Sequence, residues 1–418
     1  MFSIVIVIAF ALTTVVLFSQ GMADAPGRSI LSPDVDPSPT DDLFNTSTPT
    51  PSASPDPVLP DLPPRVQVRG IWVGAAHYQD REQMKIHLEM LENTTLNAIV
   101  LDVKNEAGQV IHLSNDDFAA WRPEMETNVI QDHTNLVTEL KSLDIYTIAR
   151  IVCFKDPIGT VRQPQNAIQH RNGNVWRDAA DIRWLNPFNK ANWEYIAQIG
   201  LEAAKMGFDE IQLDYVRFPV SGALSDRVLP DADEFAPIIA EFAGFMRDTM
   251  HAVGVRVSAD IFAISGISNN DSRLLGQDVQ MLLPQLDAIS PMIYPSHFAN
   301  EGPQNTTMGN GVGSFINGVL FTRPALEPHG VVYNTLQHFR RHIDDFITNN
   351  PDVPIAEMRP FLQGSNDNYL GEGFWKPYGP DEFRAQMQAV YDAGFHEWIF
   401  WNNVSDYTFQ DRYQAFLP

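Results

Sequence analysis

The chain has 418 residues, of which 44% are hydrophobic and 19% charged, an ordinary globular composition that supplies a sizeable core. A formal net charge of −24, with a sequence pI near 4.7, argues against nucleic acid and anionic polysaccharide and favours neutral or cationic substrates. The single cysteine, Cys153, excludes an intrachain disulfide and any multi-cysteine metal site; in the apolar run Ile148–Phe154 it reads as a buried, inert thiol.

The stretch Phe2–Phe18 is almost wholly apolar, and no Lys or Arg precedes it. It approaches the roughly 20 apolar residues that span a bilayer. Residues 1–25 therefore read as a secretory signal or a short membrane anchor, and predict a chain that works outside the cytoplasm, secreted or held at the cell surface. Ala23-Asp24-Ala25 offers a small-residue cleavage pattern, with Pro26 directly after it. Residues 26–65 are dense in Pro, Ser, Thr and Asp, and cannot bury enough surface to offset their ordering entropy. They predict a disordered spacer, which leaves 66–418 as one large folded domain.

From Arg69 onward, short β-branched runs alternate with longer amphipathic ones. The predicted strands are Gly70–Gly74, Ala98–Val103, Tyr146–Phe154, Glu210–Val216, Arg256–Ile261, Ala288–Tyr294, Met358–Gln363 and Glu397–Trp401. Helical periodicity falls on Arg81–Leu91, Asn135–Leu143 and Trp193–Met206, on the segment carrying Phe235, Ile238, Ile239, Phe242 and Met246, and on Asp381–Ala393. Eight strands alternating with helices predict an α/β fold of the (β/α)8 TIM-barrel type, with long loops at Lys155–Asn192, Ser265–Gln285 and His297–Asn334. A doubly wound open sheet is the alternative, but no glycine-rich phosphate turn follows Gly74.

Barrels of this type place their chemistry at the C-terminal ends of the strands. Asp102, Asp214 and Asp260 each end an apolar run, where an unpaired carboxylate would cost desolvation energy. A cation follows two of them closely, Lys104 after Asp102 and Arg217 after Asp214. Carboxylates on neighbouring fourth and fifth strands fit a glycosidase pair, in which one attacks the anomeric carbon and the other protonates the leaving oxygen. The sequence does not divide the two roles; we take Asp214 as nucleophile and Asp260 as acid/base. The plainer reading is that these aspartates cap helices or pair with Arg150 and Arg217. Glu106, in the second loop, either reaches the site or lies on the surface.

Trp72, Tyr294, His297, Gln363, Trp401 and Asn402 cluster at other strand ends, a mixture of aromatic faces and amides that suits a glycan cleft. With Asp102, Arg150 and Arg217 they form the candidate substrate-binding set, while Phe374, Trp375 and Tyr378 either extend it as an outer platform or close the barrel top. No H-E-x-x-H, G-x-S-x-G or Walker loop is present, and His77, His112 and His133 lack metal-ligand spacing, so no cofactor or metal is expected. Two competing readings are a catalytically silent surface barrel that binds carbohydrate, and a metal-dependent hydrolase using Asp102, Asp214 and Asp260.

Several runs resemble a known family: RGIWVGA (Arg69–Ala75), LNAIVLDVKNEAG (Leu96–Gly108), YTIARIVCFKDP (Tyr146–Pro157), GFDEIQLDYVRFP (Gly207–Pro219), VSADIFA (Val257–Ala263) and SPMIYPSHF (Ser290–Phe298). Together they are similar to the bacterial glycoside-hydrolase-like family known as the domain of unknown function 4015, itself similar to the α-amylase-like TIM barrels. The resemblance runs from about Arg69 to Asp406 and implies a TIM barrel with glycosidase chemistry on an oligosaccharide or polysaccharide. By that analogy Asp214 matches the strand-four nucleophile. The strand-five acid of amylase-like enzymes is usually Glu, where this chain has Asp260, and Gln363 stands where their strand-seven acid would be.

Overall fold

The structure, a computed structural model, describes residues 62–111, 133–301 and 313–418. The expected signal or anchor, nearly all of the expected spacer, and His112 lie outside the described residues. No helix among the described residues is long and apolar enough to cross a membrane.

Eight parallel staves close on themselves. They are β1 (Arg69–Val73), β2 (Ala98–Lys104), β3 (Tyr146–Val152), β4 (Glu210–Asp214), β5 (Arg256–Phe262), β6 (Ala288–Ile293), β7 (Glu357–Met358 and Phe361–Gln363) and β8 (Trp398–Trp401). Each pairs with its neighbour in chain order, and β8 returns to β1 through Trp398 beside Arg69 and Ile399 beside Gly70. The (β/α)8 expectation is met, and the open sheet is excluded because no strand is left at an edge of this sheet.

Three departures from the expected elements have local causes. β4 stops at Asp214 rather than Val216, because Tyr215 adopts a left-handed φ of 50° that turns the chain out of the ladder. β7 is broken between Met358 and Phe361, where Pro360 has no N–H to offer a partner strand. The helix Pro328–Asn349 runs out of the segment expected as a loop and buries Val331, Val332, Thr335, Leu336, Phe339 and Ile343, a spacing of three and four that marks one helical face. The other long helices cover Arg81–Asn93, Lys190–Met206, Phe235–His251 and Pro380–Asp392. Asp80 caps the first of these by accepting from the Glu82 and Gln83 N–H groups, and Gly207, at φ 99°, ends the second where a side chain would be strained.

Alternation along the strands sorts two cores. Residues such as Ile71, Ile99, Ile151, Ile211 and Val257 pack outward against the helices. Val68, Trp72, Ala98, Val100, Ile148, Tyr294, Phe361 and Ile399 form a separate apolar cluster, on the inward-facing positions. The lumen is only partly apolar. At its N-terminal end Glu210 accepts from Arg359 Nη1 at 3.1 Å, from Tyr146 Oη at 3.1 Å and from the Ser258 hydroxyl. Arg359 also lies 3.9 Å from Glu397, which Arg65 contacts at 3.3 Å. This charged plug closes the floor beneath the apolar layer.

Candidate active site

At the opposite end of the lumen the organising residue is Arg150. It stands beside Asp102 in the β2–β3 register and projects from the middle of β3. Its Nη1 donates to Asp102 Oδ1 at 2.7 Å, while Nε and Nη2 both reach Asp214 Oδ2, at 2.9 and 2.5 Å. Nη2 also meets Glu106 Oε1. One guanidinium thus gathers three carboxylates delivered by β2, the loop after it, and β4, which is the fork geometry that Arg supplies and Lys does not.

The remaining bonds fix the two aspartates. Asp214 Oδ1 accepts the N–H of Tyr215 at 2.6 Å, a contact made possible by the turn at that residue. Asp102 Oδ1 accepts from Trp72 Nε1 at 2.9 Å, and its backbone carbonyl accepts from the Tyr78 hydroxyl at 2.5 Å. Burial pushes the Asp102 carboxyl up to about 6, against the pull of Arg150 and with a further push from Glu106.

Asp260 has a different environment. Leu213 pairs with Ala259 across β4 and β5, so Asp214 and Asp260 follow as side-by-side residues on strands about 4.8 Å apart. Asp260 is 2% exposed, and its Oδ1 is buried without a hydrogen-bond partner. Burial raises its carboxyl well above the usual range, the neighbouring Asp214 charge raises it further, and Arg150 and Arg359 oppose the shift only in part. Two adjacent carboxyls therefore have contrasting surroundings: Asp214 is bonded to Arg150, while Asp260 touches no cation among the described residues and favours its proton.

Aromatic rings complete this layer. Trp401 is 6.1 Å from Trp72 and stacks on Tyr294 at 5.4 Å, and His297 meets Tyr294 edge-on at 5.1 Å. Trp72 and Tyr294 are buried, whereas Trp401 and His297 are half-buried at the rim. Burial holds the His297 imidazole below its usual pKa, with Asp367 opposing. Trp72, Asp102, Arg150, Asp214, Asp260, Tyr294 and Trp401 are thus brought together at one end of the lumen.

Two of the expected sugar ligands, Gln363 and Asn402, hold backbone partners in this structure. Gln363 is 1% exposed; its Oε1 accepts from the Ser296 N–H at 3.0 Å and its Nε2 donates to the Ser365 carbonyl at 3.1 Å. Asn402 is fully buried, its Nδ2 donating to Gly364 and Asp406 carbonyls and its Oδ1 accepting from the Val404 N–H. Each amide braces backbone between adjacent loops and has little left to offer a hydroxyl. Phe374 and Tyr378 belong to the closure of the barrel top rather than to an outer platform: Phe374 packs with Ala325 and Leu370, and the Tyr378 hydroxyl donates to the Ala325 carbonyl.

Of the two cations named as possible structural partners of the aspartates, Arg150 pairs with Asp102 and Asp214 and Arg217 does not. Lys104 turns away from Asp102 and forms a fully buried ion pair with Asp156 at 3.0 Å, while also donating to the Val152 carbonyl at 2.6 Å. Arg217 is not an ion-pair partner of Asp214; its guanidinium lies over Trp184, Tyr215 and Phe262. Two residues that sequence reasoning passed over belong to the site. Lys155 Nζ lies 4.7 Å from the Tyr215 ring centroid, and Trp184 packs on the same ring at 5.9 Å. The cation at the end of the third strand was visible in the run CFKDP; Trp184, deep in a long loop, gave no comparable signal. Among the described residues, no group of three or more His, Cys, Asp or Glu is arranged to hold a metal ion.

A closed parallel barrel with acidic side chains gathered at its C-terminal end is the architecture of the TIM-barrel glycoside hydrolases. Residues 70–407 match the family model described as "Putative glycosyl hydrolase domain", the domain of unknown function 4015, and the chain belongs to that family. The glycoside hydrolase domain of PgaB (BpsB) from Bordetella bronchiseptica is similar in fold, with a TM-score of 0.56 at 13% identity over 84% of this chain and 99% of that one. A hypothetical protein from Ruminiclostridium thermocellum ATCC 27405 is 31% identical over 46% of this chain and 97% of its own, with a TM-score of 0.40. An α-galactosidase from Thermus thermophilus matches at 14% identity and a TM-score of 0.49, over 86% of this chain and 60% of that one. No curated protein matches the chain.

Proposed function

We propose that this chain hydrolyses glycosidic bonds in an extracellular or cell-wall polysaccharide, with Asp214 as nucleophile and Asp260 as acid/base. The observation that carries this reading is the contrast between the two adjacent carboxyls. Asp214 is charge-paired with Arg150 and keeps Oδ1 on the Tyr215 N–H, whereas burial and the Asp214 charge favour the protonated form of Asp260. In the first step Asp214 would attack the anomeric carbon while Asp260 passes its proton to the departing oxygen. In the second, the Asp260 carboxylate would take a proton from water as that water displaces Asp214. Side-by-side placement on neighbouring strands supports the short carboxyl separation of retaining enzymes. The apolar N-terminal segment supports a site of action outside the cytoplasm, either secreted or anchored.

A specific observation favours a second reading. Asp214 and Asp260 are only 5% and 2% exposed, and Glu106 is the most open carboxylate of the group, its side chain 34% exposed. A barrel that binds glycan without cleaving it would tolerate such enclosure. The test is release of reducing ends from a panel of polysaccharides by wild type, Asp214→Asn and Asp260→Asn. Cleavage by wild type and its loss in each variant supports hydrolysis; saturable binding with no new reducing ends over many hours leaves the silent barrel.

A further inference from the structure

Arg217 is handled differently from three of the other buried cations. Lys104, Arg150 and Arg359 each contact a carboxylate. Arg217 is 6% exposed, yet it forms no ion pair with any carboxylate of the described residues, and it rests on aromatic rings instead. The guanidinium carbon is 4.8 Å from the Trp184 ring centroid, 5.1 Å from Tyr215 and 4.5 Å from Phe262. Among the described residues only Nη1 has a hydrogen-bond acceptor, the Phe218 carbonyl at 3.0 Å. Nε and Nη2 have no partner among the described residues, and neither is a side-chain atom sealed from solvent.

The unused edge is the informative part. Nε and Nη2 point two parallel N–H groups along one side of the guanidinium plane, the fork that matches both oxygens of a carboxylate. Removing a guanidinium from water without a counter-charge is costly, and aromatic faces offset that cost only partly. The placement is equally specific: Arg217 follows Asp214 at the exit of β4, and Phe262, beneath its guanidinium, follows Asp260 in β5.

We propose that the Nε–Nη2 edge of Arg217 binds the carboxylate of a hexuronic acid unit in the glycan, held next to the bond that Asp214 and Asp260 act on. This rests on the glycoside-hydrolase reading above and narrows its substrate class to acidic glycans. The net charge of −24 disfavours an anionic glycan only at long range. Exposed charges more than about 8 Å away are largely screened at physiological ionic strength, while a bound carboxylate meets a desolvated guanidinium at contact. Trp184 and Tyr215 hold the guanidinium plane in place, so little side-chain freedom is lost on binding.

The experiment is calorimetric titration of the full chain with oligogalacturonate and oligoglucuronate, their methyl esters, which remove the charge and keep the sugar, and a sulfated neutral oligosaccharide. The wild type is expected to bind one acid form at least about tenfold more tightly than its ester, as one or two charge-assisted hydrogen bonds imply. Arg217→Gln should shrink that preference to about twofold, and Arg217→Lys, which keeps charge but not the fork, should retain an intermediate one. Equal affinity for acid and ester, no binding of any uronate, a stronger preference for the sulfate ester, or a preference that survives Arg217→Gln would each overturn the proposal. If circular dichroism shows that Arg217→Gln is unfolded, the acid–ester comparison in wild type and Arg217→Lys decides. Reducing-end release is followed in parallel. Uronate binding without release would sink hydrolysis and leave the carboxylate site, whereas release from neutral glycans with no acid preference would do the reverse.

Discussion

Arg150 holds Asp214 by one carboxylate oxygen, Oδ2, through two of its nitrogens, and leaves Oδ1 to a backbone N–H. The aspartate is thereby fixed in rotation as well as in charge. If Asp214 is the nucleophile proposed above, this hold sets the direction in which it presents an oxygen, as proximity arguments require.

If Asp214 and Asp260 divide the work as proposed, Asp214→Asn and Asp260→Asn should each lower kcat by about 10²–10⁴-fold while the melting temperature falls little or rises. Steady-state kinetics on a cleaved glycan, with thermal melts of the same samples, checks this. The pH profile supplies a second readout. Asp260 must carry its proton to act as acid, and its carboxyl is raised, so wild-type activity should fall on the alkaline side as that proton is lost. The alkaline limb should disappear from the residual activity of Asp260→Asn.

Arg150→Met should destabilise the domain by about 3–5 kcal/mol, because Asp102 and Asp214 would be left buried without their cation. Adding Asp102→Asn and Asp214→Asn should restore a large part of that loss. Urea denaturation at pH 7 measures it. A loss below about 1 kcal/mol in the single variant would contradict the central role given to this guanidinium.

The buried pair Lys104–Asp156 makes a parallel prediction away from the reacting groups. Asp156 also accepts from the Gly159 N–H at 2.6 Å and the Tyr195 hydroxyl at 3.3 Å. A Cβ on Gly108, which sits at φ +80°, would come within 2.5 Å of Asp156 Oδ1. Lys104→Met should cost about 3–5 kcal/mol and Gly108→Ala at least about 1 kcal/mol, while Lys104→Met with Asp156→Asn should recover part of the first loss. Equilibrium unfolding of the three variants provides the comparison.

His87 sets an acid limit on stability. Burial, with a smaller contribution from the charge of His77, lowers its imidazole to about 4. Between an unfolded value near 6.5 and about 4 the unfolded chain binds the extra proton, so stability present above the unfolded pKa is lost as pH falls through that window. The loss from this group should reach about 3 kcal/mol by pH 4, as an order of magnitude. His87→Leu should flatten the stability–pH curve between pH 6.5 and 4, and an unchanged slope would rule His87 out as its source.

The barrel was legible because its staves are short apolar runs separated by amphipathic ones, a pattern that survives any detail of the loops. The acidic strand ends were legible for a related reason: Asp102, Asp214 and Asp260 interrupt hydrophobic runs where polarity is costly. What could not be read was which nearby cation pairs with the aspartates, Arg150 and Arg217 both being candidates. Lys104 stands two residues after Asp102, where regular alternation would put both on one face, but the β2–β3 register shifts between them, and Tyr215 turns the chain after Asp214. The cation that serves both aspartates is Arg150, one strand across from each. Gln363 and Asn402 show the converse limit. Their amides are where sugar ligands would be sought, yet hydrogen bonds to the backbone of neighbouring loops claim them, a relationship local sequence does not encode. The helix Pro328–Asn349 was readable from its apolar spacing and was hidden only by the proline and glycine at its start.

The ionic plug of Glu210, Arg359 and Glu397 fills the N-terminal end of the lumen and leaves the C-terminal face as the side open to a ligand. Under the proposed hydrolysis, substrate and both products would therefore use the C-terminal face alone. Departure and admission would then compete for one face, and the proposal expects turnover to slow as fragments accumulate.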